Sequence, residues 1–482
     1  MKAAAAPLAL ALCGLAAAAL AQAPAPGDRS HPPSPEPPRP LRLPPVQRLA
    51  LSNGLPVALV ERHQLPTVEV RLIVKSGATA DPIGRTGLAA ATADMLDEGA
   101  GGKDALSLAD AIDFLGADVR TSATWDYSSV ALAVPVARLE PALTLMADVA
   151  LRPDFPPAEM ERVRKRALTA LLEARAVPGQ VAAFAFTQAV FGQHRYGFPS
   201  SGTTPSLSAL RTEDLRAFHT QHYRPGNAFL VVVGDVTPAA LPLLEKAFGG
   251  WPKGDAPASR LTVPPQVKGR RLVLIDKPGA AQSVLRIGQV GPGRSTPDYL
   301  ALEVMNTLLG GSFTSRLNDN LREQHGYAYG AGSSFGYRLV GGAFQAAADV
   351  QTQSTSEALG EMLKELQRIT TPATPVEVDR ARNYLSLSFA EEFETNTQVA
   401  GKVADQILYA LPDDFYATFV PKVLAVSAAD IARVAAAADP TNAVVVVVGD
   451  RKTIEPKLRA MNVGELQIRT VDDVLGRPPK VP

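Results

Sequence analysis

The sequence predicts an α+β protein made of two homologous α/β lobes, each a duplicated sheet with helices packed mainly on one face. Two repeats carry this expectation. The segment PAEMERVR from Pro157 returns as PVEVDRAR from Pro375, so that Arg164 falls on Arg382 at an offset of 218. The segment VVVGD ending at Asp235 returns ending at Asp450, at an offset of 215. Two independent matches at nearly equal offsets imply duplication of a unit of about 200 residues, much longer than a solenoid repeat. The third observation is length: 482 residues that are 46% hydrophobic can bury two ordinary cores.

Before the first lobe, Met1 to Ala21 carries one lysine, an apolar run and Ala19-Leu20-Ala21, the pattern of a secretory signal peptide cleaved after Ala21. An exported, periplasmic protein is therefore expected. The run is short for a membrane span and is cut by Gln22 and prolines, so no integral membrane contact is expected. Cys13 follows Leu12 where a lipid-attachment signal needs a small residue, and the mature chain is left without cysteine or disulfides. Residues 22–46 form a proline-rich linker without hydrophobic period, with His31 solvated. Lysine plus arginine and aspartate plus glutamate both number 48, which excludes a nucleic-acid binder driven by bulk charge.

The first lobe is expected over residues 47–252. Asn53-Gly54 reads as a hairpin turn between two strands. Val68, Val70, Leu72 and Val74 alternate with Glu69, Arg71 and Lys75, which predicts a strand with one buried and one mostly wet face. Helices are expected at Gly87 to Leu96 and Leu108 to Leu115, with strands around Ala117 to Val134. Pro157 opens a charged amphipathic helix to Ala176, and Val231 to Val233 form a buried strand.

Residues 253–267, with Gly254, Pro257, Pro264 and Pro265, read as the linker, and 268–482 as the second lobe. Strands are expected at Arg271 to Asp276, Ser283 to Val290 and Ala343 to Val350. Ser295-Thr296-Pro297 is expected to cap a helix that shares Ala301, Val304, Met305, Leu308 and Leu309 on one face and stops at Gly310-Gly311. Ser354, with Glu357 three residues on, is expected to cap another whose Leu359, Met362, Leu363, Leu366 and Ile369 face the core.

The stretch GGSFTSRLNDNLREQHGYAYGAGSSF, from Gly310 to Phe335, organises the chemistry. A glycine break, a short helix carrying Leu317, Leu321 and Arg322, a Gly326 stop and a strand carrying Tyr327 and Tyr329 can put the Arg322 guanidinium and Tyr329 hydroxyl on one side of a cleft. Both groups could then donate to a peptide carbonyl.

The stretch resembles the second-half signature of the pitrilysin/insulinase family of zinc metallopeptidases, the inverted zincins, which includes the mitochondrial processing peptidases. The resemblance covers essentially everything after Val46 and implies their two-lobe fold. It also implies that Arg322 and Tyr329, seven residues apart, bind substrate.

Active relatives carry H-x-x-E-H on a first-half helix, two histidines one turn apart binding zinc and a glutamate activating water. The matching segment here is GLAAATADMLDEG, Gly87 to Gly99. The resemblance puts the histidine positions on Ala90 and Asp94, the general base on Ala93 and the third-ligand glutamate near Ala170. Methyl groups neither coordinate zinc nor move protons, so no cofactor is expected on this chain and no catalytic residue. Arg120-Thr121 stands where active relatives carry an Asn-Ala pair beside the substrate.

Other candidates are weaker. His219 and His222 have metal-ligand spacing but no third histidine or cysteine nearby, and helix-end hydrogen bonding is the plainer role. Glu161 and Glu173 read as solvated or ion-paired, and His63, His194 and His325 are isolated. No G-x-S-x-G elbow or phosphate loop is present, and Gly330-Ala331-Gly332 lies within a strand rather than opening a helix.

The function this implies is a non-catalytic, substrate-holding subunit of an exported heterodimeric zinc metalloendopeptidase. Its partners would be a homologous zinc-bearing subunit and extended peptides. The alternative is a non-enzymatic peptide-binding or scaffold protein on the same fold. A single-chain enzyme using His219 and His222 is a third possibility.

Overall fold

Alternate valines in the two VVVGD segments belong to different cores, and this decides how the lobes sit. The computed structural model describes residues 43–259 and 261–479. The expected signal peptide and nearly all of the proline-rich linker lie outside the described residues.

In the first lobe the strands are β1 (Gln47–Ala50), β2 (Pro56–Glu61), β3 (Thr67–Val74), the small hairpin β4 (Gly99–Ala100) and β5 (Lys103–Asp104), then β6 (Asp118–Ala123), β7 (Ser128–Pro135) and β8 (Ala228–Gly234). In the second they are β9 (Arg271–Asp276), β10 (Gln282–Gly291), β11 (Ala328–Gly336), β12 (Gly342–Gln351), β13 (Val444–Gly449) and β14 (Glu465–Thr470). The two six-stranded sheets run β1-β2-β8-β3-β7-β6 and β14-β9-β13-β10-β12-β11. Orientation repeats as well as order over five strands: β2 with β8 and β9 with β13 are parallel, while β3 with β7 and β8, and β10 with β12 and β13, are antiparallel; the outermost pair differs, β1 running antiparallel to β2 and β14 parallel to β9. The duplication in the sequence is therefore a duplication of topology. β6 and β11 occupy corresponding free edges.

Each sheet has its own helices on one face. Leu230 and Val232 point into a first-lobe core that includes residues of the helix Leu139–Leu151, and Val445 and Val447 into a second-lobe core that includes residues of the helix Thr355–Arg368. The opposite faces are covered reciprocally. Val231 and Val233 join Val399, Ala400 and Val403 of the helix Asn396–Leu408 from the second lobe. Val444, Val446 and Val448 pack with Val181, Ala185 and Phe186 of the helix Pro178–Phe191 from the first. The expectation of helices on one face holds within a lobe, and each second face is buried by a helix lent by the other.

This corrects the wet face assigned to β3. Glu69 is 2% exposed, accepting from Arg71 Nε at 2.9 Å and Thr397 Oγ1 at 3.0 Å. Asn396 Nδ2 donates to the Thr67 carbonyl at 3.2 Å. Alternation along β3 correctly marked polar side chains, but these meet the opposing lobe rather than water.

Two helix starts also differ. The helix expected after Ser295-Thr296-Pro297 begins at Tyr299 with Asp298 at its N-cap and no side-chain cap bond; Thr296 Oγ1 serves only the preceding turn, 3.3 Å from the Asp298 N–H. Ser354 is at an N-cap without making the expected bond, and Glu357 accepts from Ser356 instead. The helix Tyr299–Asn306 continues to Gly311 through one wider turn, Thr307–Gly311. Gly310 is required there, because a Cβ would stand 2.3 Å from the Ser333 nitrogen on β11.

Candidate functional site

The helix Leu88–Asp94 is set by its entry. Gly87 has φ 91°, and the Asp81 carboxylate accepts from the N–H groups of Gly87, Leu88 and Ala89 at 2.7, 3.2 and 2.9 Å. These are three of the four donors a helix start leaves orphaned. Burial pushes the Asp81 carboxyl up to about 7 against those bonds. The helix Pro157–Ala176 crosses this one with proline in its first turn.

Between them lies a cavity of about 290 Å³ lined by Ala90, Asp94 and Ala170 together with apolar side chains such as Met160, Leu171 and Phe184. Three of the four positions assigned by resemblance to a metal centre thus converge on one space. Ala93, the fourth, is fully buried on the same helix.

The donor set does not fit zinc. Those three positions bring two methyl groups and one carboxylate, and Asp94 is already opposed by a cation, Arg166 Nη2 at 3.8 Å. Arg166 Nη1 lies 3.8 Å from Glu98. Burial raises the Asp94 carboxyl above its usual range and pushes Asp97 to about 6, with Glu98 adding to both. Among the described residues no group of three or more His, Cys, Asp or Glu side chains stands close enough to hold a metal ion. The cationic side chains that line this space are Arg164 and Arg166.

The histidine pair is consumed by the fold. His219 Nε2 lies 2.9 Å from the Ala150 carbonyl and its ring stacks on Tyr223, while His222 Nδ1 lies 3.1 Å from Ser76 Oγ. Burial lowers both pKa values. His219 therefore bonds a carbonyl of the neighbouring helix, in keeping with its plainer role. His63 lies between Asp235 (2.7 Å) and Glu61 (3.3 Å), whose hydrogen bonds raise its pKa; His194 Nε2 lies 2.7 Å from the Thr262 carbonyl. Glu161 pairs with Arg164 and Glu173 is exposed.

In the second lobe, Leu317 and Leu321 anchor the run Arg316–Gln324 in the core, and Gly326 at φ 64° turns the chain into β11. The Arg322 guanidinium carbon is 4.7 Å from the Phe313 ring centre and 5.1 Å from that of Tyr329, and Nε is 3.3 Å from Glu323. Tyr329 is 87% exposed and sits where the β11–β12 register breaks between Ala328 and Ala331. The structure thus brings Arg322 and Tyr329 together as an accessible pair beside a free, bulged sheet edge.

Comparison with known proteins decides the family. Residues 56–204 match the model of insulinase (peptidase family M16), and residues 209–385 match that of the peptidase M16 inactive domain. Together these span about two thirds of the chain. The chain belongs to the insulinase (M16) family.

Among its relatives, an uncharacterized zinc protease of Mycobacterium leprae is 28% identical over 59% of this chain and 64% of that protein. The match thus spans less than two thirds of that relative's length. A non-peptidase homolog from Helicobacter pylori is 23% identical over 78% of this chain and 87% of that protein. The crystal structure of a peptidase M16 inactive domain from Pseudomonas fluorescens superposes with a TM-score of 0.78 at 28% identity, covering 84% of this chain and 97% of that one.

In this insulinase-family member the residue that sequence reasoning missed is Arg166. It precedes Ala170 by one helical turn on the same face, so helical spacing could have found it. Glu98, beyond the helix that carries Asp94, offers no such periodic signal.

Proposed function

We propose that this chain is the substrate-holding subunit of an exported two-chain zinc endopeptidase, inactive alone. One observation carries the proposal: Ala90, Asp94 and Ala170 converge on a cavity whose side chains cannot hold zinc, while Arg322 and Tyr329 converge on an accessible site. An extended peptide lying along the β11 edge meets two donors there. Arg322 holds a main-chain carbonyl, and the Tyr329 hydroxyl donates to the oxygen on which charge develops. A homologous partner supplies the zinc and the general base.

Each donor of this kind is worth about 2 to 4 kcal/mol in the transition state, or about 30- to 10³-fold in rate. The purified chain is expected to hydrolyse no peptide with added zinc, and activity is expected on mixing with a zinc-bearing homologue from the same host. Arg322→Ala and Tyr329→Phe should lower turnover of the pair by those factors with assembly unchanged. Hydrolysis by the chain alone, or full turnover in both variants, would refute the proposal.

A non-hydrolytic scaffold is the second reading, favoured by the names of two relatives, a non-peptidase homolog and an inactive domain. It predicts peptide binding that no partner converts to cleavage.

A further inference from the structure

The turn between β6 and β7 meets the end of β11 and the start of β12 around a cavity of about 410 Å³. Its walls include six aromatic side chains from both lobes: Trp125, Tyr127, Phe186, Phe191, Tyr337 and Tyr409. Ser334, Thr187 and Gln345 add polar groups, Arg338 adds a cation and Asp126 a carboxylate.

Arg338 is held by rings rather than by an acid. Its guanidinium carbon is 3.7 Å from the Trp125 ring centre, 4.6 Å from Tyr196 and 5.1 Å from Phe191. The hydrogen bond found for it among the described residues is a long one, Nη1 to the Tyr196 carbonyl at 3.4 Å. Among the described residues no carboxylate lies within 4.0 Å of it. Asp126 contributes a longer-range attraction, but both its oxygens are engaged, one by the Tyr196 hydroxyl at 2.7 Å and the other by the Leu339 N–H at 2.9 Å. Burial lowers the Arg338 pKa to about 10, which leaves it charged at neutral pH. A partly buried guanidinium with unspent N–H donors favours a planar anion, and a carboxylate matches its fork. Aromatic walls of this area favour a ring beside that carboxylate.

We propose that this cavity binds a carboxylate carried next to an aromatic group, the chemistry of a peptide's C-terminal aromatic residue or of a free aromatic acid. The site belongs to this chain alone, needs no partner subunit, and is separate from Arg322 and Tyr329.

The test uses the full chain and Trp125 emission. The other tryptophan, Trp251, is 6% exposed in the first-lobe core and serves as constant background, with Trp125→Phe as the control. N-acetylphenylalanine is titrated against N-acetylphenylalanine amide, and a peptide ending in phenylalanine against its C-terminally amidated form. The acids are expected to bind at least about tenfold more tightly than the amides, the minimum for a charge-assisted hydrogen bond. Arg338→Gln should remove that preference and Arg338→Lys should keep most of it, which separates loss of charge from loosening of the lobes. Ser334→Trp, from an exposed position on the wall, should weaken both acids and amides. A preference shown by the small acid but not by the peptide assigns the site to free aromatic acids. Equal affinity for acid and amide, a preference that survives Arg338→Gln, or no binding by any probe would overturn the proposal. Since no step involves hydrolysis or a second subunit, its failure is distinguishable from failure of the peptidase assignment.

Discussion

Phe186→Ala should destabilise both lobes at once, although the ring belongs to a first-lobe helix and packs on the second-lobe sheet. Phe186 is 4% exposed, and its ring lies against Gly288 on β10, where a Cβ would come within 2.8 Å of the ring edge. Truncating a buried phenylalanine costs about 3 to 5 kcal/mol. Phe186 also borders the 410 Å³ inter-lobe cavity, so water can enter the space left behind and the low end, about 3 kcal/mol, is expected. Urea unfolding read by far-ultraviolet circular dichroism follows both lobes. Tryptophan emission follows the first lobe through Trp251 of its core, read in a Trp125→Phe background because Trp125 also touches Arg338 of the second lobe. The two signals are expected to coincide before and after the substitution, with the midpoint lowered and the slope unchanged. If only the circular dichroism signal moves, leaving the emission transition in place, the lobes are independent and reciprocal covering does not couple them.

Glu377 pairs with Arg316, Nε to Oε1 at 2.7 Å and Nη2 to Oε2 at 3.0 Å, and this holds its carboxyl down at about 2 against an ordinary 4.5. Since the folded value is the depressed one, its stabilisation is complete above pH 4.5 and is lost as pH falls from there towards about 2. After solvent screening the loss should be about 1 to 2 kcal/mol, and Glu377→Gln should flatten the acid limb of a stability-versus-pH curve. Asn53 Nδ2 donates to the Phe248 and Trp251 carbonyls at 2.8 and 3.1 Å, so Asn53→Ala should cost about 2 to 3 kcal/mol in urea unfolding; a loss below about 0.5 kcal/mol would show those bonds to be replaceable by water. Combining Ala90→His, Ala93→Glu, Asp94→His and Ala170→Glu with Arg166→Ala should give a chain that retains one zinc per molecule through dialysis. Retention of none would mean that these backbone positions do not surround a metal-sized space.

The sequence by itself determined the duplicated topology, because each copied segment fixes a strand or helix through local pattern. It also marked the stretch carrying Arg322 and Tyr329, where Gly326 needs a left-handed turn and Leu317 and Leu321 need a core. Alanine at 90, 93 and 170 and aspartate at 94 could be read in the same way, and the structure gathers three of these four positions around one cavity. Only the tertiary structure decided what faces what. The two-residue period of a strand says that neighbouring side chains of β3 and β13 point apart, but not that the second face is covered by a helix from the other lobe. That information lies in residues such as Val399 and Val181, far away in sequence and unremarkable in local pattern. Arg338 depends on the same distance: its partners Trp125, Phe191 and Tyr196 come from the other lobe, and only closure of the two lobes gathers them around one charge.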